Sequence, residues 1–197
     1  MIILVTGKCG VGKDTAGRYL VSHYGFKQDS LAAPIKRLTS DIFCIPHHVL
    51  NPTSESERFQ RECELALWPG WTPRKLLQFI GTEMFRENIM EDVWVRSLWL
   101  RMQCEPNINW CISDVRFPNE QSFLKENCEG DVITIRVLRD GYNGQTHGGI
   151  QSHVSEAHNL HFDYSITNNT SFDELYAQID GIASDLELTP VGGVGVQ

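Results

Sequence analysis

The chain has 197 residues, enough for one domain with a sizeable core, and its 41% hydrophobic and 21% charged residues are ordinary globular composition. A net charge of −8 argues against a polyanionic partner such as duplex nucleic acid, and no apolar run approaches the length of a membrane span. The start, Met1-Ile2-Ile3-Leu4-Val5, lacks a basic region, so a secretory signal is not expected; the six cysteines, none spaced C-x-x-C, read as free thiols of a cytoplasmic protein.

Residues 2–6 read as a buried parallel strand. It runs into Gly7-Lys8-Cys9-Gly10-Val11-Gly12-Lys13-Asp14-Thr15, a G-x-x-x-x-G-K stretch with a helical pattern behind it. Glycines let the backbone curl until successive N–H groups face a phosphate, and the next helix offers its positive end to the same anion. Lys13 would reach the terminal phosphates. Asp14 stands where Ser or Thr is usual, with the hydroxyl one residue later at Thr15. These two would hold Mg²⁺, directly or through water, or Asp14 would cap the helix. The bland alternative is a glycine-rich turn that binds nothing.

The helix runs from Lys13 to about Tyr24, with Ala16, Leu20 and Tyr24 on one face and Gly25 as its stop. Pro34 starts a second, with Ile35, Leu38 and Ile42 as its apolar face and Lys36 and Arg37 off it. Residues 51–71 are polar and turn-rich, a mobile excursion around a short helix. Thr72-Pro73 starts a helix with Leu76, Leu77, Ile80 and Met84 as the buried stripe. On another side Arg74, Gln78, Thr82 and Arg86 follow at intervals of four, a line that spirals slowly. Such a line is either a solvated face or a grip on a phosphate and a base.

Trp94, Leu98 and Met102 mark the next helix. Asn109 to Ser113 reads as a strand ending at Asp114-Val115-Arg116-Phe117-Pro118-Asn119-Glu120. An Asp there, after a phosphate loop, is suited to orient Mg²⁺ or a water. Val132 to Leu138 is a strand. Residues 139–160 hold four glycines, a loop able to close over a substrate. His153, His158 and His161 raise a metal site, without the spacing of a known one. Tyr164 to Thr167 is the last strand, Asn168 turns, and Ser171-x-x-Glu174 caps a helix carrying Phe172, Leu175, Tyr176, Ile179, Ile182, Ala183 and Leu186. Residues 189–197 are expected to be disordered. Alternating strands and helices call for a parallel α/β sheet, with ligands at the strands' carboxyl ends.

Taken together, the order of these motifs resembles the bacteriophage-type deoxynucleoside monophosphate kinases, a branch of the P-loop kinases. The resemblance rests on Gly12-Lys13-Asp14-Thr15, on Leu31 to Lys36, on Thr72 to Arg86, on Asp92-Val93-Trp94-Val95, on Asp114 to Glu120 and on Asp163 to Asn168. It spans nearly the whole chain. It implies a P-loop NTPase-type parallel sheet flanked by helices over residues 1–188, with an acceptor-binding helical region at about 36–95 and a lid at about 139–160.

The resemblance also implies an activity: transfer of phosphate from ATP, with Mg²⁺, to a deoxynucleoside monophosphate. ATP would lie on Gly7, Gly10, Val11, Gly12, Lys13, Asp14 and Thr15. The Asn168 turn would border adenine, by analogy with dephosphocoenzyme A kinases. Lys36, Arg74 and Arg86 would hold the acceptor, Gln78 and Thr82 its base, and Arg116 its phosphate. Asp114 would organise metal or water. Arg139 would act from the lid, with Arg136 an equal candidate. No membrane or nucleic-acid partner is implied, and the family allows a homodimer. Rival expectations are another small-molecule kinase, such as a dephosphocoenzyme A or phosphomevalonate kinase, and a nucleotide-dependent switch without an acceptor.

Overall fold

Ile2–Thr6 forms β1, buried along its whole length because it has neighbours on both sides and layers on both faces. The computed structural model describes residues 1–8, 10–141 and 160–191. Cys9, most of the glycine-rich loop with His153 and His158, and residues 192–197 lie outside them. The strands β2 (Lys27–Asp29), β3 (Trp110–Ile112), β4 (Val132–Leu138) and β5 (Tyr164–Thr167) join β1 in a five-stranded sheet of order β2-β3-β1-β4-β5. Every pairing is parallel. This is a parallel α/β sheet flanked by helices.

By compactness the chain divides into two units, Met1–Ser30 with Leu98–Gln197, and Leu31–Ser97. In the first, helices α1 (Lys13–Tyr24) and α8 (Phe172–Asp185) bring Ala16, Leu20, Leu175, Ile179 and Ile182 into one core with β1, β4 and β5. Gly25 ends α1 in the left-handed conformation, its N–H returning to Leu20 O, and Ser171 caps α8 through the Glu174 N–H. Val191 donates its N–H to His23 O at 2.8 Å, so the start of the C-terminal tail is fastened to α1. Phe172, expected on the apolar face, is 58% exposed: it sits at the first position of α8, ahead of the stripe that begins at Leu175.

In the second unit α2 (Ala33–Phe43), α3 (His47–Leu50), α4 (Glu55–Glu62), α5 (Pro73–Phe79), a π-helical segment Ile80–Glu87 and the first turn of α6 (Val93–Gln103) follow in order. Ile45, Val49, Leu50 and Leu76 are its core, with Phe43, Leu65, Trp71 and Leu77 packed on them. Ile42 is 54% exposed, against expectation. The residue of α2 that goes inside is Thr39, whose hydroxyl donates to Ile35 O at 2.8 Å and so needs no outside partner. Met84 is exposed too, for a reason taken up below. The stretch 51–71 contains the short helix α4, fastened by reciprocal bonds between Ser54 and Glu57.

Two elements show no apolar periodicity that would mark them. β2 is Lys-Gln-Asp, polar and on the sheet edge, held by backbone pairing to β3. Helix α7 (Pro118–Asn127) buries Glu120 and Gln121 beside Leu124, so its inward face is not an apolar stripe. The Gln121 amide explains itself: it donates to Thr134 Oγ1 and to His161 O, each at 2.7 Å, and accepts from His161 N.

The joint between α1 and α8 is polar at one end. Tyr19 and Tyr24 both donate to the Asp180 carboxylate, at 2.9 and 2.7 Å, and Tyr19 stacks on Tyr176 with ring centroids 4.1 Å apart. Burial first, and Asp180 second, push both phenols up to about 12. Their unfolded value is about 10, so the native state keeps these protons longer. That stabilisation is complete below about pH 10 and is lost as pH rises from about 10 to 12. Asp180→Ala is expected to cost about 1–2 kcal/mol at pH 7 and to flatten the alkaline loss. Thermal denaturation of both proteins from pH 8 to 12 checks this; an equal alkaline loss in both contradicts it.

Candidate active site

The register of the sheet brings the expected residues of the first unit to one edge. Leu4 pairs with Ile112, so Asp114 leaves β3 level with Thr6, directly before Gly7. Leu138 pairs with Thr167, so Arg139 and Asn168 leave β4 and β5 side by side. This is the carboxyl edge, where open parallel sheets bind ligands. Arg136 lies within β4, its guanidinium over the Phe162 ring at 4.9 Å. Of the two candidate arginines, Arg139 is the one at the strand's end.

The loop from Gly7 to Thr15 is shaped by close approach. Gly7, Gly10 and Gly12 all have positive φ. A Cβ at Gly7 would stand 2.4 Å from Val137 O, and one at Gly12 2.5 Å from Asn168 Nδ2. Only glycine meets both the space and the dihedral. Val11, 2% exposed, plugs into the core and fixes the middle of the loop. Asn168 seats the loop from beneath: its Nδ2 donates to Val11 O at 2.9 Å while its own N–H donates to Leu138 O at 2.8 Å. Its amide therefore faces the loop backbone. Lys13 donates from Nζ to Lys8 O at 2.7 Å, which draws the ammonium across the loop. Gly12 is the N-cap of α1 and brings no capping side chain, and the N-terminal end of a helix is the end suited to an anion.

Asp14 is exposed and Thr15 half-buried on the first turn of α1. Asp14 lies close enough to β3 that its charge, after burial, helps push the Cys111 thiol up to about 12. Cys111 is therefore an inert core thiol. From Thr15 a cavity of about 220 Å³ runs between α1 and α8, lined by Arg18, Tyr19, Phe172 and Tyr176. Arg116 is exposed just past β3. Its backbone is held by Glu120, a carboxylate 2% exposed that accepts the N–H groups of Arg116 and Phe117 at 2.8 and 3.1 Å. Sequence reading gave Glu120 no role. The available signal was an acid in the first turn after Pro118, where a carboxylate caps.

In the second unit Arg74 is half-buried, with its Nε on the Glu62 carboxylate. Gln78 and Thr82 are exposed, and Arg86, half-buried, donates to Glu91 O at 3.3 Å. Lys36 donates to Asn51 Oδ1 at 2.8 Å. His161 is exposed, 3.5 Å from the Asp163 carboxylate. Among the described residues no three His, Cys, Asp or Glu side chains gather as a metal site, and Cys44, Cys63, Cys104, Cys111 and Cys128 are free thiols. No helix among them is long and apolar enough to cross a membrane.

Known proteins resemble this chain as follows. A model of the family described as deoxynucleotide monophosphate kinase matches residues 53–179. A relative from Acanthamoeba polyphaga mimivirus, named "Putative deoxynucleotide monophosphate kinase", is 34% identical over 194 residues, 91% of this chain and 93% of that protein. The "Deoxynucleoside-5'-monophosphate kinase" of Escherichia phage T5 is 36% identical over 66 residues, 34% of this chain and 26% of that one. Among solved structures, a dephospho-CoA kinase from Campylobacter jejuni aligns with a TM-score of 0.49 at 14% identity, over 94% of this chain and 96% of that one. The family-model match begins at residue 53, beyond the phosphate loop.

If Asn168 seats the loop, Asn168→Ala should weaken binding of inorganic tripolyphosphate about tenfold, the scale of one hydrogen bond that organises a charged site. Gly12→Ala should do at least as much, since its Cβ would displace that amide. Calorimetric titration measures both, with far-ultraviolet circular dichroism unchanged. Wild-type affinity in Asn168→Ala would show that the loop holds its shape unaided.

Proposed function

This chain belongs to the deoxynucleotide monophosphate kinase family, and from that premise we propose that it transfers the γ-phosphoryl group of ATP, bound with Mg²⁺, to a deoxynucleoside monophosphate, giving ADP and a deoxynucleoside diphosphate. Such a reaction supplies DNA precursors. The phosphate loop carries the proposal: its glycine-shaped curl, its lysine and the open end of α1 lie together at the sheet's carboxyl edge.

Phosphoryl transfer needs little covalent help from a protein. An oxygen of the acceptor's 5′-phosphate attacks the γ-phosphorus, the bond to the β–γ bridging oxygen breaks, and ADP leaves with that oxygen. The acceptor phosphate is largely a dianion at neutral pH, so no general base is required. What the residues supply is position and positive charge. The N–H groups from Gly10 to Thr15 would hold the β- and γ-phosphates. Lys13 would exchange the Lys8 carbonyl for the γ-phosphate oxygens. The base would rest in the groove of Arg18, Phe172 and Tyr176, with Asn168 beneath the loop. Asp14, Thr15 and Asp114 offer two carboxylates and a hydroxyl, the hard oxygen donors that Mg²⁺ takes together with water and phosphate. When bound there, Mg²⁺ would neutralise charge on the β- and γ-phosphates. Arg116 and Arg139 would meet the transferring group.

Lys36, Arg74, Gln78, Thr82 and Arg86 would receive the acceptor. Arg74 is suited to this because Glu62 fixes its Nε edge and orients the fork, which lysine cannot reproduce.

Two experiments separate donor from acceptor. Lys13→Met should lower kcat on the order of a hundredfold or more, the scale of one preorganised charge; near wild-type turnover would mean that the loop is not the donor site. Arg74→Lys and Arg74→Ala should each raise the KM for deoxynucleoside monophosphates at least about tenfold and leave the KM for ATP within about twofold. Wild-type kinetics of Arg74→Ala with all four common substrates would remove this helix from the acceptor site.

A further inference from the structure

The helix that begins at Pro73 changes its winding at Ile80, and that change decides which residues face out. Up to Phe79 it is α-helical; from Ile80 to Glu87 it is a π-helix, with i→i+5 hydrogen bonds. Such segments are rare and cluster at functional sites. In α-winding Met84, four residues after Ile80, would be buried. Instead Ile80 is 2% exposed and Met84 46% exposed, while Phe85, five residues after Ile80, is half-buried. Phe85 packs on the Trp94 ring, centroids 4.8 Å apart.

The same winding re-aims the polar line. A step of four residues overshoots the α turn of about 3.6 residues, so Gln78 lies round the helix from Arg74 in one sense. It undershoots the wider π turn, so Arg86 lies round from Thr82 in the opposite sense. The drift that α-winding would accumulate is thereby reversed, and Arg86 swings back toward the side of Gln78. One contact is placed to hold this winding. Trp94, 5% exposed on α6, donates its indole N–H to the Gly81 carbonyl at 2.8 Å, a buried bond inside the first π turn. Gly81 is buried as well, and a Cβ there would stand 3.2 Å from Ile35 Cδ1, so α2 closes the other side.

We infer that Trp94 is a positioning residue for the acceptor: by holding the Gly81 carbonyl it keeps Ile80–Glu87 in π-winding and so sets the direction of Arg86. This rests on the proposed assignment of the Arg74–Arg86 face to the deoxynucleoside monophosphate. Trp94 itself is buried and touches no substrate. The alternative role is packing alone, which the ring serves without its N–H.

A double-mutant cycle on the acceptor KM separates the two roles. Trp94→Phe keeps a ring against Phe85 and removes the donor. Incorporation of 3-benzothienylalanine at position 94 keeps the full bicyclic shape and replaces N–H by sulfur, which serves should Trp94→Phe fold poorly. With thymidine monophosphate as probe, each is expected to raise the acceptor KM roughly tenfold, as a misdirected binding group does, with the KM for ATP unchanged. Arg86→Ala raises the acceptor KM as well, and adding the Trp94 change to it brings no further rise, because Trp94 acts through Arg86. Multiplicative effects, a KM for ATP that rises in step, or a wild-type acceptor KM in the benzothienylalanine protein overturns the inference while leaving the acceptor face intact. A wild-type acceptor KM in Arg86→Ala removes Arg86 from the acceptor face and the inference with it.

Discussion

Where β1 gives way to α1, the backbone passes the ends of two strands with room for hydrogen atoms and nothing larger. Gly7 crosses the Val137 carbonyl and Gly12 crosses the Asn168 amide, both at distances that exclude a Cβ. The rest of the site depends on that crossing. It is possible only because β4 and β5 end level with one another, and because β1 lies between β3 and β4 in register. The loop's curl is therefore a property of the sheet as much as of its glycines. It leaves the first N–H groups of α1 uncapped by a side chain, a cost in stability that a bound anion would offset.

The protein's charge makes the same point from the other side. With a net charge of −8, the molecule as a whole does not attract phosphates. Cations must therefore be held locally, and the structure holds them with oxygens. Lys13 is drawn over the loop by the Lys8 carbonyl, Arg74 is gripped by Glu62, and Arg86 by the Glu91 carbonyl. Glu120 fixes the backbone that carries Arg116. Such prior orientation lets electrostatic catalysis work without reorganisation during the reaction. The Trp94–Gly81 bond belongs to the same pattern, with an indole in place of a carboxylate.

What was legible in the sequence was local. β4 and β5 read out as Val132–Leu138 and Tyr164–Thr167 because β-branched runs between turn residues settle their own state. The phosphate loop was legible because its glycines, lysine and flanking elements form one contiguous pattern. The partner of that loop was not: Asn168 reaches Val11 across 157 positions, and only an analogy with dephosphocoenzyme A kinases had given it a role, as a border for adenine. α7 was hidden because its inward residues are polar and find partners on β4 and at His161, which no periodicity encodes. The Thr72–Arg86 helix was recognised, yet Met84 was assigned to the core, because spacing cannot distinguish α from π winding. That distinction depends on Trp94, an element away.

The central claim is that the loop at 7–15 donates a phosphoryl group to a deoxynucleoside monophosphate and not to water. It is tested most directly by following the purified protein, ATP, Mg²⁺ and each of the four common deoxynucleoside monophosphates by phosphorus magnetic resonance. The account predicts equal appearance of ADP and a deoxynucleoside diphosphate, dependent on the acceptor, with little inorganic phosphate. Release of inorganic phosphate at a rate indifferent to every acceptor would contradict it.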